Sequence, residues 1–98
     1  MFEINILLRA ELEVDEIAEY YESLSDGLGT KFFNEYQEYV ETLHTFPFFE
    51  EKYNTVRTLP LKKFPCTIHF TVDEVNKIVT VYAVTSNYQD PNTTRIKL

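Results

Sequence analysis

Cysteine is nearly absent: Cys66 is the single one among 98 residues. One thiol forbids an internal disulfide and leaves no cysteine-based zinc pattern. Long apolar runs are absent too, since none reaches the roughly 18 residues that a membrane-crossing helix needs. The opening, MFEINILLRAELE, has no basic start, and acids soon follow its short apolar run. It is therefore not expected to direct secretion, and a cytoplasmic location is the expectation. No repeat or low-complexity tract interrupts the chain. Bases are scarce in the first half. Residues 1–51 hold 13 acids and 2 bases, whereas residues 52–98 hold 3 acids and 7 bases. The halves carry −11 and +4 within a total of −7. Such a split hints at two surfaces with different partners. An acidic whole is repelled by bulk nucleic acid, so any contact with RNA or DNA must be local.

Apolar residues make up 44% of the chain and aromatics 15%, enough for one core. A single domain over residues 1–98 is expected. Phe2–Leu8 reads as a strand with Phe2, Ile4 and Ile6 on one face. Glu11–Leu24 reads as a helix, with Val14, Ile17, Ala18, Tyr21 and Leu24 at helical spacing. Ser25-Asp26-Gly27 breaks it, and Gly27 suits a left-handed cap. A second helix is expected from Leu28 to Thr45, striped by Phe32, Tyr36, Tyr39, Val40 and Leu43 and stopped by Pro47. The Tyr20/Tyr21 and Phe32/Phe33 pairs are read as core and helix-interface residues. Tyr53–Leu61 reads as a strand, which Pro60 marks as an edge or bulge. Thr67–Val72 alternates, with Ile68, Phe70 and Val72 on one face and His69 on the other. After a turn at Asp73–Asn76, Ile78–Val84 is apolar on both faces, the mark of a central strand. The order β-α-α-β-β-β predicts an α+β fold: an antiparallel twisted sheet with a two-helix hairpin packed on one face.

Several stretches together resemble the RelE/ParE superfamily of bacterial toxins from type II toxin–antitoxin systems. They are EIAEYYESLSDGLGTKFFNEYQEYVETL (Glu16–Leu43), with its Tyr-Tyr and Leu-Gly-x-x-Phe elements and the proline after it, then VRTLPLKKFPCTIHFTVDE (Val56–Glu74) and VYAVTSNYQDP (Val81–Pro91). The resemblance implies a cytoplasmic toxin with an antitoxin partner, of the kind tied to plasmid stabilisation and growth inhibition. One branch poisons DNA gyrase without catalysis by the toxin. The other cuts messenger RNA on the ribosome without a metal. Departures fall where activity resides. Ser86, Tyr88 and Gln89 stand where members often carry histidine and arginine before Asp-Pro, and Cys66 replaces the tyrosine of Phe-Pro-Tyr. The family's toxins are commonly basic, and this chain is acidic. The losses favour the ParE-like, gyrase-directed branch over the nuclease, and they leave open a degenerate, non-toxic binding module. Whether the chain is an enzyme stays open here.

Cleavage of RNA needs a general base, a general acid and cations around the phosphate. The candidates for such chemistry are Arg57, matching the family's strand arginine and able to clamp a phosphate, His69, which titrates near neutrality, and Tyr88, able to stack or donate a proton. Lys62, Lys63 and Arg95 are candidate contacts to nucleic acid or another target. Competing readings are an ion-pairing arginine, edge-strand lysines that block aggregation, a structural histidine and a tyrosine covering the core's edge. Cys66 reads as a half-buried hydrophobe, with no Cys/His signature beside it. No metal or cofactor is expected.

Overall fold

The computed structural model of the chain describes residues 1–49, 51–53 and 55–86. Its elements are β1 (Glu3–Ile6), α1 (Leu8–Leu24), α2 (Leu28–Thr42), β2 (Glu51–Tyr53), β3 (Val56–Pro60), β4 (Cys66–Asp73) and β5 (Ile78–Ser86). The class is α+β, with the two helices as a hairpin, as the hydrophobic patterning predicts.

Where boundaries differ from expectation, the backbone hydrogen bonds explain it. The α1 helix starts at Leu8 and not Glu11 because Leu7 serves both elements. Its N–H donates to the Val81 carbonyl as the last bond of β1, and its carbonyl accepts the Glu11 N–H as the first of the helix. The α2 helix ends at Thr42 because the N–H groups of Leu43, His44 and Thr45 each bond three residues back, tightening the final turn. Between the helices Gly27 takes the expected left-handed conformation, φ 84°, but as the N-cap of α2; α1 is capped by Ser25, whose backbone is extended. Glu22, near the end of α1, reaches across this turn: its carboxylate accepts the Gly27 N–H at 2.8 Å and the Gly29 N–H at 3.0 Å. It thus satisfies free donors at the positive end of α2. Gly29 lies against α1, and a Cβ there would run into the Ala18 carbonyl oxygen.

The sheet order is β1-β5-β4-β3-β2. Its β2-β3-β4-β5 part is the expected antiparallel meander, and β5 is internal. The remaining strand, β1, pairs parallel to β5, so the sheet as a whole is mixed. The chain between the two runs through the helical hairpin and then β2, β3 and β4, well beyond the minimum that parallel pairing needs. The expected strand from Tyr53 is two strands. Thr55, at φ 66°, turns the chain between β2 and β3.

One irregularity sets which side chains face the core. His69 pairs with Ala83 but Phe70 pairs with Val81, so β5 carries an extra residue, a bulge, at Tyr82. Simple alternation would put Val81 and Ala83 on one face. The bulge instead keeps Val79, Val81 and Val84 in the core with Ile68 and Phe70. Ala83 turns to the other face, beside His69. On the core side these strands meet Val14, Ile17 and Tyr21 of α1 and Phe32, Tyr36 and Val40 of α2.

Candidate functional site

The face of the sheet away from the helices holds a short polar chain. Thr58 pairs with His69 and Ala83 pairs with His69, which places all three on this side. The His69 ring joins two hydroxyls: Nδ1 is 2.9 Å from the Tyr53 Oη, and Nε2 is 2.9 Å from the Thr85 Oγ1. His69 is 8% exposed. Burial, with a smaller push from the Arg9 charge, lowers its pKa to about 4. The ring is therefore neutral at pH 7. A neutral imidazole has one N–H and one lone pair, so one hydroxyl accepts from it and the other donates to it. This arrangement orders the ring. It does not leave a nitrogen free to exchange a proton with a ligand, and a base with so low a pKa is weak at neutral pH.

Arg57 stands on the neighbouring strand but on the opposite face. It pairs with Phe70, a core residue, whereas Thr58 pairs with His69. Its Nη1 donates to the Phe49 carbonyl at 2.8 Å, and its Nη2 lies 3.5 Å from the Glu51 Oε1. The guanidinium thus fastens the chain before β2 onto β3, and gripping a phosphate would compete with those bonds. Lys62 and Lys63 are exposed in the loop between β3 and β4. Their loop is held by Glu35 of α2, which is 7% exposed and whose two oxygens both accept the Lys63 N–H at 3.1 Å. Tyr88 and Arg95 lie outside the described residues. The structure therefore does not gather Arg57, His69, Lys62 and Lys63 into one constellation.

Three groups escaped the sequence reading. Tyr53 reaches His69 from β2, two strands away. Thr85 joins it because of the β5 bulge. On α1, Glu13 accepts the Val84 N–H at 3.1 Å, on the stretch of β5 that extends past β1. Burial raises the Glu13 pKa, and the Val84 hydrogen bond, then Arg9 at 3.7 Å, partly offset that. Alternation already put His69 on the face away from Ile68 and Phe70. Its partners depend on pairings that no local pattern carries. Cys66 is buried beside Tyr21, whose Oη is 3.9 Å from the sulfur, and burial pushes its thiol pKa up. That is the chemistry of a packed hydrophobe and not of a nucleophile. Among the described residues no group of three or more His, Cys, Asp or Glu is placed to hold a metal ion, and no helix is long and apolar enough to cross a membrane.

Comparison with solved structures finds the same architecture in toxin–antitoxin proteins. A chain of the chromosomal ParDE system from P. aeruginosa superposes with a TM-score of 0.76 at 22% identity, over 88% of this chain and 96% of that one. A chain of the intact E. coli RelBE toxin–antitoxin complex gives 0.59 at 12% identity, over 91% of this chain and 100% of the other. The isolated E. coli RelE toxin gives 0.51 at 11% identity, over 96% and 93%. No protein-family model matches the chain. A comparison with curated proteins finds no match.

Proposed function

We propose that this chain, which has the RelE/ParE fold, is the toxin of a toxin–antitoxin pair and inhibits growth by a ParE-like action on DNA gyrase. The observation that carries the reading is the likeness to the ParDE chain, at a TM-score of 0.76 against 0.59 for the RelBE chain. The sheet face supports it. His69 is neutral with both ring nitrogens bonded, and Arg57 faces the other way, so the described residues assemble no acid–base pair around a cation. On this reading the chain is not itself a catalyst. Its partner is an antitoxin encoded beside it, its location is the cytoplasm of a bacterium, and its role includes plasmid stabilisation.

The test is induction of the chain alone in a bacterial host, following messenger integrity and plasmid supercoiling. Growth arrest with intact messenger and disturbed supercoiling is the expected result. Rapid messenger cleavage on ribosomes would replace the gyrase reading with the nuclease one. Unimpaired growth despite soluble, folded protein would identify a non-toxic binding module. Failure of the adjacently encoded chain to co-purify would sink the antitoxin partner.

A further inference from the structure

The helical hairpin leaves one strip of the core face incompletely covered. A groove of about 620 Å³ opens there between β1, α1 and α2. Clefts of that size hold small organic molecules. Its floor is apolar: Ile4 and Ile6 of β1 and Phe33 of α2 pack against the core yet are only partly buried.

The polar groups on its walls are of one kind. Glu11 and Asp15, one turn apart on α1, and Glu41 of α2 are exposed carboxylates. Among the described residues no lysine or arginine lines the groove. His44 adds a further acceptor. Its Nδ1 is 2.8 Å from the Phe2 carbonyl, so that nitrogen carries the proton and donates. In the neutral ring Nε2 then presents its lone pair, with the Glu41 Oε2 3.8 Å away. Both residues sit at the carbonyl end of α2, where a positive charge is favoured.

Tyr36 marks where a ligand's polar end would sit. It is 5% exposed, and its hydroxyl makes no hydrogen bond among the described residues. No fully buried side-chain oxygen among them lacks a partner, so this one opens on the groove that the residue lines. A nearly buried hydroxyl with nothing to bond to is an unmet demand. Burial, then the Glu11 charge, pushes its pKa up to about 12, so the phenol stays protonated. Its oxygen still has lone pairs for an incoming N–H. Against this inventory the donors are the Tyr36 hydroxyl and the exposed Gln37 amide. An anion would meet three negative charges and two donors. A cation rich in N–H groups would meet opposite charge and acceptors.

We propose that this groove binds a small organic cation, whose apolar body covers Ile4, Ile6 and Phe33 and whose ammonium group lies against Glu11 and Asp15 and donates to the Tyr36 hydroxyl oxygen. The site does not depend on the toxin reading, because it needs neither an antitoxin nor gyrase.

The probes are a diphenylpropyl body carried as amine, alcohol and carboxylate, together with propylamine, which lacks the rings. Each is titrated into the isotope-labelled full chain and followed by chemical shifts. The diphenylpropyl amine is expected to shift Ile4, Ile6, Phe33 and Tyr36, and to bind roughly tenfold tighter than the other three. Tyr36→Phe should weaken the amine roughly threefold to tenfold. It should not lower Tm, since no hydrogen bond within the protein is lost. Glu11→Gln/Asp15→Asn should weaken the amine roughly tenfold. The same charge change off the groove, Glu16→Gln/Glu19→Gln, should leave binding as in the original chain. Carboxylate, alcohol or propylamine binding as tightly as the diphenylpropyl amine would overturn the proposal. So would unchanged affinity or a lowered Tm in Tyr36→Phe, equal weakening in the two double variants, or shifts confined to other residues. Growth arrest and supercoiling are read in separate experiments, so this result and the toxin reading can fail independently.

Discussion

Replacing Gly29 by alanine sets two effects of opposite sign against each other. Gly29 is the second residue of α2, so alanine gains there at most the roughly 1 kcal/mol by which it is better than glycine in a helix interior. Against that gain stands the space at Gly29. The new Cβ would lie inside the 3.0 Å that real Cβ atoms do not cross, and the obstacle is the Ala18 carbonyl oxygen, a main-chain atom inside α1. Main chain in a helix cannot swing aside, so the two helices must separate. The Glu22 Cβ and Oε1, both 3.1 Å from the new atom, are pushed as well, and with them the cap on α2. Overpacking of this kind costs roughly 1–3 kcal/mol, and weakening the cap adds about 1 kcal/mol. The clash wins, and Gly29→Ala should lose about 1–3 kcal/mol net. For a domain of this size that lowers Tm by very roughly 5–20 °C. Urea unfolding followed by circular dichroism gives the free energy directly. Adding Ala18→Gly should not rescue the variant, because the obstructing oxygen remains. A Gly29→Ala protein as stable as the original, or more so, would refute the close approach as the reason for glycine here.

Two further outcomes follow from buried groups. The His69 pKa of about 4 lies below the usual histidine value, so the unfolded chain takes up a proton that the folded one refuses. That contribution to stability is complete above the unfolded pKa and is lost as the pH falls toward the folded one. From pH 7 to pH 5 it amounts to about 2 kcal/mol; His69→Gln should remove this part of the pH dependence in urea titrations, and an unchanged slope would refute it. Glu35→Ala should cost about 1–3 kcal/mol by stripping the Lys63 N–H of its charged acceptor. Glu35→Gln, which keeps one oxygen, should cost less, and loss of hydrogen-exchange protection at Lys63 is the direct check.

The sequence disclosed what local periodicity encodes. Val14, Ile17 and Tyr21, then Phe32, Tyr36 and Val40, are buried along their helices at the spacing that marked them. Cys66, Ile68 and Phe70 face the core while His69 faces away. Less legible was β2, whose three residues are too few and too charged to show a pattern. The helix start at Leu8 was hidden because that leucine is 69% exposed and contributes nothing to the apolar stripe. Pairing of β1 with β5 joins residues more than seventy positions apart, which no window along the chain can see. The candidate site suffers most from this. His69 is ordered by Tyr53 and Thr85 through strand order and a bulge. The acid-rimmed groove takes residues from β1 and both helices.

The pairing of β1 with β5 also has a consequence for how the chain is made. Synthesis delivers β1 first, yet its hydrogen-bonding partner, Ile78–Val81, emerges only after both helices and three other strands. Until then Ile4 and Ile6 have no neighbouring strand, and the α1 carboxylate of Glu13 has no Val84 N–H to receive. The sheet cannot close in stages from the N-terminus. Ribosome-bound fragments that stop short of Ile78 keep this edge open, so an early terminated product carries an unpaired hydrophobic strand in place of a smaller version of the domain.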